Sequence, residues 1–216
     1  MKYRELLFAD VAAGFGYRRC RKNTYRRPVE NSLSHFIYTT RFNSGDHFHV
    51  RCGIRYNSAE LFGYKMFTER GFLTLTNPEK DKWNCNMTFS FGALAGWSPR
   101  SSLILSSMSE PEFSDRIERD FENYLTPILA RVNSAPEFLE FVYNDAPPFT
   151  WDRANSAIRA AQVLFLSREL GRDLDEVHKY LLKFEVNIRA QLPKLNDDPR
   201  AYLAMVMAEI GAARRS

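Results

Sequence analysis

The sequence predicts an α+β fold, in which an antiparallel sheet of five or six strands is covered on one face by a long amphipathic helix. Three observations predict it. Apolar and polar side chains alternate over 33–56, the period changes to 3.6 after Ser109, and capped helical segments fill the last third. The turn-forming stretch DAPPFT at 145–150 predicts two parts, an α+β domain over 1–145 and a helical C-terminal subdomain over 146–216 packed on it.

The N-terminal region predicts one helix followed by one strand. Residues 3–17 carry a loose apolar face, and Gly14 with Gly16 ends the helix. Residues 17–28 alternate weakly and predict a strand that Pro28 stops, because proline has no N–H to donate to a sheet.

The segments 33–42 and 47–56 predict a hairpin with a three-residue loop in which Gly45 is left-handed. On the second strand the apolar set is Phe48, Val50, Cys52, Ile54 and Tyr56, and the basic set is His47, His49, Arg51 and Arg55. On the first strand the residues expected to share the apolar side are Phe36, Tyr38, Thr40 and Phe42. This register sets Arg41 beside His47, since a slip of one residue inverts every side chain.

Further strands are expected at 72–76, 83–91 and 101–107, and a short helix is expected near 58–68. From Ser109, which forms a capping-box pattern with Glu112, a long amphipathic helix is expected over 110–132 with a kink or break at Pro127. A second helix runs from Ser134 to Tyr143. The C-terminal helices are expected at about 151–170, from Asp173 to before Pro193, and over 198–210.

The charge is uneven along the chain. The 216 residues have a net charge of +4, yet residues 1–28 hold eight basic and two acidic residues, a net charge of +6, which leaves −2 for the remainder. Such a basic region attracts nucleic acid or an acidic protein surface, or it protects the edge of a sheet from aggregation. An anion site would use Arg18, Arg19, Arg21, Lys22, Arg26 and Arg27.

The cysteines and the hydropathy predict a cytoplasmic protein that does not enter a membrane. Cys20, Cys52 and Cys85 are odd in number and lack the spacing of a metal or redox motif, so we expect free thiols in a reducing compartment. The N-terminus has no signal-peptide pattern, and no apolar run reaches 18 residues.

The basic side of the predicted hairpin is the first candidate site. If the apolar side lies under the long helix, the basic side is left to meet an acidic partner, and the expected contact residues are Arg41, His47, His49, Arg51 and Arg55. A solvent-exposed surface with no ligand is the structural alternative. The His-x-His pair could also bind zinc, but Arg51 and the expected neighbours Arg41 and Thr39 disfavour a metal. We therefore expect no metal and no cofactor.

Three stretches resemble a known family. GFGYRRCRKNTYRR, HFIYTTRFNSGDHFHVRCGIRY and IERDFENYLTPILARVNSAPEFLEF occur in this order, within a match that covers roughly residues 3–142. They resemble the bacterial domain-of-unknown-function family 4304, at positions Phe15, Tyr25, Phe42, Phe48, Gly53, Ile54, Pro127 and Leu129. These are core and turn positions, so the resemblance implies a fold and carries no catalytic residue. It also implies a bacterial binding protein of the immunity type, which neutralises a toxin.

No motif of a known enzyme class is present, including GxSxG, GxxxxGK[ST], GxGxxG after a strand and HExxH. The sequence therefore predicts a non-catalytic cytosolic protein that binds a partner protein with an acidic surface, and toxin neutralisation is the form that the resemblance implies. The alternative is a nucleic-acid or anionic-ligand binder that uses the N-terminal arginines, and a metal-dependent enzyme is the third hypothesis.

Overall fold

A computed structural model describes residues 2–30, 32–42, 46–68, 87–97, 101–143, 156–190, 192 and 198–212. Its helices are α1 (Lys2–Gly14), α2 (Asn57–Thr68), α3 (Phe91–Leu94), α4 (Glu110–Asp120), α5 (Thr126–Leu129), α6 (Ala135–Tyr143), α7 (Ser156–Glu169), α8 (Leu174–Leu181), α9 (Glu185–Ala190) and α10 (Pro199–Ala212). Its strands are β1 (Arg18–Arg21), β2 (Thr24–Pro28), β3 (Leu33–Phe42), β4 (His47–Tyr56), β5 (Met87–Ser90) and β6 (Leu103–Ile104).

The six strands form one antiparallel sheet, so the predicted α+β class is confirmed. The strand order is β1-β2-β3-β4-β5, and β6 pairs with β4 next to His47 and Phe48. Strand β1 therefore lies at one edge, while β3 and β4 are interior strands.

Two helices, rather than one, cover the apolar face of this sheet. Phe8 of α1 lies 5.3 Å, between ring centroids, from both Tyr25 of β2 and Phe48 of β4. Phe48 is also 5.3 Å from Phe113 of α4, and Phe8 is 5.9 Å from Phe121. The long helix predicted over 110–132 is thus present on the sheet, beginning as α4, and the N-terminal helix α1 shares the face with it.

The long helix is interrupted where proline requires it. It begins with the predicted capping box, in which the Ser109 and Glu112 side chains bond each other's backbone N–H. Residues Phe121–Leu125 form a π-helical turn, closed by the Thr126 N–H donating to the Phe121 carbonyl. Pro127 has no N–H for the carbonyl four residues before it, so a widened turn there gives the expected break.

The single strand predicted over 17–28 is wrong. These residues form a hairpin in which β1 and β2 pair antiparallel around Lys22 and Asn23, with an irregularity between Arg19 and Arg21. The Arg19 guanidinium donates to the Lys22 carbonyl at 3.0 Å from Nε and closes this turn. Alternation alone did not reveal the turn, because the chain lacks the glycine that marks the commonest two-residue hairpins.

The later strands are shorter than predicted. Residues 83–86 of the expected strand 83–91 lie outside the described residues, and the strand ends one residue early because Ser90 caps α3 by accepting from the Ala93 N–H at 3.2 Å, so Phe91 is helical. Gly92 is required there, since a Cβ would lie 2.1 Å from the Ser101 carbonyl oxygen. Of 101–107, only Leu103–Ile104 is strand, followed by a 3₁₀ turn over Leu105–Ser107. The predicted strand 72–76, Cys85 and the loop 43–45 lie outside the described residues.

The chain divides into two compact units, and the division differs from the predicted one at residue 145. The first unit contains Met1–Arg55 and Thr88–Ser134, and the second contains Tyr56–Met87 and Ala135–Ser216. In the second unit α2 packs against α7, where the Gln162 Nε2 donates to Glu60 Oε2 at 2.9 Å and both residues are buried. The rings of Phe62 and Phe165 stack with centroids 4.8 Å apart. The sheet domain is therefore split in sequence, and α2 belongs to the helical unit.

The C-terminal helices follow the predicted order, but the single helix predicted from Asp173 to before Pro193 is two helices, α8 and α9, separated by a 3₁₀ turn over Leu182–Phe184, and residues 151–155 lie outside the described part of the chain. Gly171 follows α7 with a φ of +69°, which ends the helix as its position predicts. Asp173 caps α8 by accepting from the Asp175 N–H at 2.9 Å, and Asp198 caps α10 by accepting from the Arg200 N–H at 2.9 Å. Local capping signals were therefore sufficient for these elements.

Candidate binding face of the sheet

The sheet of the first unit has two chemically different faces. Tyr25 of β2 stands opposite Ile37 of β3, and the Phe8 ring contacts both Tyr25 and Phe48. Tyr25, Ile37 and Phe48 therefore lie on one face, called the covered face here, which α1 and α4 bury. Because strand side chains alternate, the residues between them lie on the other face.

That other face carries basic groups from three strands, β1, β2 and β4, and the Tyr38 ring from β3. We call it the cationic face, and its defining residues are Arg18, Arg21, Arg26, Tyr38, His47, His49 and Arg51. It is buried at one end, where Ser34, Phe36 and Arg55 lie, whereas Arg51 and Thr40 towards the β3–β4 turn are exposed. Arg18 and Arg21 on the edge strand β1 are exposed as well, so the accessible part comprises β1 and the region near the β3–β4 turn.

The prediction of which β3 side chains lie on which face of the sheet is wrong, because it is shifted by one residue. Ile37, and with it His35 and Arg41, lies on the covered face, while Phe36 and Tyr38 lie on the cationic face. Arg41 accordingly forms an ion pair with Glu5 of α1, with Nε 3.5 Å from Oε1. The error has a physical cause: Phe36 and Ile37 are both buried, so apolar character on β3 marks neither face.

The five residues predicted to contact a partner do not form one surface. Arg41 lies on the covered face, and Arg55 is only 3% exposed. His47, His49 and Arg51 do share the cationic face. Their role in binding remains a prediction, and the structure separates them from the other two.

The two imidazoles are adjacent and held by the sheet. The rings of His47 and His49 stack with centroids 6.5 Å apart, and His47 Nδ1 lies 2.8 Å from the Ser102 hydroxyl. Partial burial, and then the neighbouring His47, lowers the pKa of His49 below its usual value, so His49 carries less charge at neutral pH. Within the described part of the chain, no cluster of three histidine, cysteine or acidic residues could hold a metal ion.

Arg51 is the exposed guanidinium of β4. Its Nη2 donates to the Thr88 hydroxyl of β5 at 2.9 Å, and Thr88 lies between the buried residues Met87 and Phe89 of that strand. The Thr88 hydroxyl is neutral, so this hydrogen bond does not neutralise the positive charge of Arg51. The other N–H groups of Arg51 can donate to another group.

The six basic residues of the alternative anion site fall into three places. Arg18 and Arg26 stand directly opposite each other on the cationic face, and Arg21 is in the next row beside Thr24. Arg19 and Lys22 belong to the turn and are exposed. The last, Arg27, points to the covered face, where its Nη2 lies 3.0 Å from His35 Nδ1 and its guanidinium carbon 5.5 Å from the centre of the Tyr17 ring.

Arg18 and Arg26 have no acidic partner in the residues that the structure describes. The Arg26 Nε donates to the Ser34 hydroxyl at 2.9 Å, which is a neutral acceptor. Like charges directly opposite each other on neighbouring strands are destabilising by roughly 0.2–1 kcal/mol. An anion between them would remove that repulsion.

His35 and Tyr38 lie on opposite faces of β3. His35 is fully buried, and because arginine can only donate, its Nδ1 accepts from Arg27 while its Nε2–H donates to the Val132 carbonyl at 2.8 Å. Burial foremost, with Arg27 beside it, lowers the pKa of His35 to about 4, although the Val132 bond acts in the opposite sense. Tyr38 stacks on Phe36 with ring planes 9° apart and is half-buried.

Comparison with known proteins adds no relative: no family model, no curated protein and no solved structure matches the chain. The resemblance to domain-of-unknown-function family 4304 therefore remains a prediction. Over the described residues, no helix combines the length and the hydrophobicity needed to cross a bilayer.

Proposed function

We propose that this chain is a non-catalytic cytoplasmic protein that binds a partner protein with an acidic surface through the cationic face. The observation that carries the proposal is the opposed pair Arg18 and Arg26, whose repulsion no described carboxylate relieves. Arg51 extends the same face to β4 and is exposed. An acidic partner would neutralise all three.

Edge protection accounts for only part of this arrangement. Arg18 lies on the edge strand β1, where a charge discourages pairing with another chain. Arg26 and Arg51 lie on interior strands, where no edge needs protection. Their presence favours a binding role for the face as a whole.

The dimensions of the face suit a protein surface. Strands β1 to β4 are separated by three inter-strand spacings, or about 14 Å. Contacts spread over such a distance suit the surface of a partner protein better than they suit a small molecule. Neutralisation of a toxin, which the family resemblance implies, is the narrower form of the proposal, and the partner would then be a toxin with an acidic surface.

The test uses charge reversal on the cationic face and a charge reversal in the helical unit as a control. The full chain, its Arg18→Glu/Arg51→Glu variant and a Lys179→Glu control from an exposed site of the helical unit are each used to capture proteins from the source cell. The proposal expects an acidic protein that the wild type and the control retain and the double variant loses by at least about 100-fold in affinity. Equal retention by all three proteins would contradict it.

Nucleic-acid binding is the second candidate, because Tyr38 places an aromatic ring in the row of Arg21 and Thr24. Aromatic rings flanked by arginine can stack bases. A single-stranded oligonucleotide titrated at several salt concentrations separates the two functions. Contact with three phosphates predicts a slope near −2 in log affinity against log salt, and a protein partner predicts no measurable oligonucleotide binding.

A further inference from the structure

A small cavity lies between α6, α7 and α8 of the helical unit, and none of its lining residues belongs to the cationic face. Its volume is about 120 Å³, and Leu139 and Val177 form apolar parts of its wall. An apolar cavity of roughly 150 Å³ is large enough for benzene. This one therefore has room for a short alkyl chain with one polar head, and it is too small for a nucleotide.

The polar part of the wall is predominantly acidic. Glu140, Asp173 and Glu176 contribute three carboxylates, and Arg172, which pairs with Glu140, contributes the single guanidinium. Glu176 has no ion-pair partner within the described part of the chain. The potential in the cavity is therefore negative and suits a cation.

Tyr143, which also lines the cavity, reports this potential. Burial raises the pKa of its hydroxyl, and the charges of Glu140 and Glu176 raise it further, against the opposing effect of Arg172. The carboxylates thus act electrostatically on a side chain of the cavity wall.

A second, independent feature points to a ligand. Ser167 of α7 lines the cavity and is 0% exposed, yet its Oγ has no hydrogen-bond partner among the residues that the structure describes. An unsatisfied buried hydroxyl costs stability, and few occur in folded proteins. Its position on the cavity wall makes it an acceptor for a donor group that enters from outside.

We propose that this cavity binds a primary ammonium group carried on a short alkyl chain. The ammonium N–H groups donate to Ser167 Oγ and to the Glu176 carboxylate, and the methylenes lie against Leu139 and Val177. A compact ammonium on a flexible stem matches the volume, whereas a hard divalent cation would require six or more oxygen ligands. The group can come from a free alkylamine or from a lysine side chain of another protein.

The probe is n-butylammonium chloride, titrated into the full chain while the methyl resonances of Leu139 and Val177 are followed by NMR. We expect saturable shifts with butylammonium and none with 1-butanol, which has the same length without the charge. Nα-acetyl-lysine methylamide distinguishes the two sources. Tighter binding than butylammonium assigns a protein lysine, and weaker binding assigns a free amine.

Two variants and one control make the test specific. Ser167→Ala and Glu176→Gln are each expected to weaken butylammonium binding about tenfold or more, which is the usual effect of losing a charge-assisted hydrogen bond. Asp175→Asn removes the same charge one residue earlier on α8, outside the cavity wall, and is expected to leave the affinity unchanged.

The stability of Ser167→Ala provides an independent check. Because the hydroxyl has no partner, its removal is expected to keep or raise the Tm of the unliganded protein while it weakens binding. The proposal is overturned if butylammonium and 1-butanol shift the methyl resonances equally, if neither shifts them, or if Asp175→Asn weakens binding as much as Glu176→Gln. This cavity lies in the second unit, so its failure leaves the function proposed for the sheet face intact, and the reverse also holds.

Discussion

The two faces of the sheet use the same residue type in opposite ways. On the covered face, Arg27 donates to His35 and Arg41 pairs with Glu5, so each guanidinium has a structural partner. On the cationic face, Arg18 stands opposite Arg26 without a carboxylate in the described residues to neutralise either. The comparison teaches that the number of arginines indicates little. The face on which each one lies decides whether it stabilises the fold or is available to a partner.

The largest expected effect is on the covered face. Phe8→Ala removes a fully buried ring that contacts Tyr25, Phe48 and Phe121. We expect a loss of about 3–5 kcal/mol in the free energy of unfolding, because the cavity cannot close between a helix and a sheet. Urea denaturation checks it. A loss below about 1 kcal/mol would mean that α1 does not complete the core.

A pH effect of similar size is expected from His35. Its pKa of about 4 in the folded chain lies below the unfolded value near 6.5, so between these values only the unfolded state takes up the proton. Stability is therefore complete above pH 6.5 and falls by about 3 kcal/mol as the pH drops to 4. Urea denaturation of wild type and His35→Gln over this range isolates the effect, and parallel pH profiles would contradict the assignment.

A smaller effect separates the two sets of arginines directly. Arg41→Gln removes a guanidinium that is 14% exposed and paired with Glu5, and we expect a loss of about 1 kcal/mol after allowance for solvent screening. Arg51→Gln on the cationic face is the matched change and should alter stability by less than about 0.5 kcal/mol. Equal losses would remove the distinction between the faces.

The smallest expected effect has the opposite sign. Arg18→Gln relieves the repulsion with Arg26 and should stabilise the protein by roughly 0.2–1 kcal/mol at low salt. The gain should disappear near 1 M salt, where the screening length falls to about 3 Å. Thermal denaturation at both salt concentrations checks it. A destabilised variant would show that Arg18 has a structural role.

Local signals in the sequence were sufficient for much of the fold. The capping box at Ser109, the glycine after α7 and the break at Pro127 each depend on residues a few positions apart, and the structure contains all three. The facing of β3 could not be predicted in this way. Both of its sides are buried, so the apolar pattern that fixes the facing of a half-exposed strand is missing.

The composition of the two units depends on contacts that are distant in sequence. The hydrogen bond between Gln162 and Glu60 joins residues about a hundred positions apart, and no local sequence pattern near either residue predicts it. The glycine at position 63 in α2 is explained by the same contact, because a Cβ there would lie 3.0 Å from the Gln162 side chain. The contact can be inferred from this glycine only once the structure is known. For the candidate site, His47, His49 and Arg51 were predicted together, while Arg18 and Arg26 joined them only through the β1–β2 hairpin.

The most direct test of the cationic face is a titration of the full chain with a hexaglutamate peptide, followed through the side-chain Nε–Hε resonances of arginine. The peptide stands for an acidic protein surface. We predict shifts for Arg18, Arg26 and Arg51 and none for Arg27 and Arg41. Shifts of equal size in both sets, or shifts confined to Arg27 and Arg41, would contradict the assignment of the binding surface to this face.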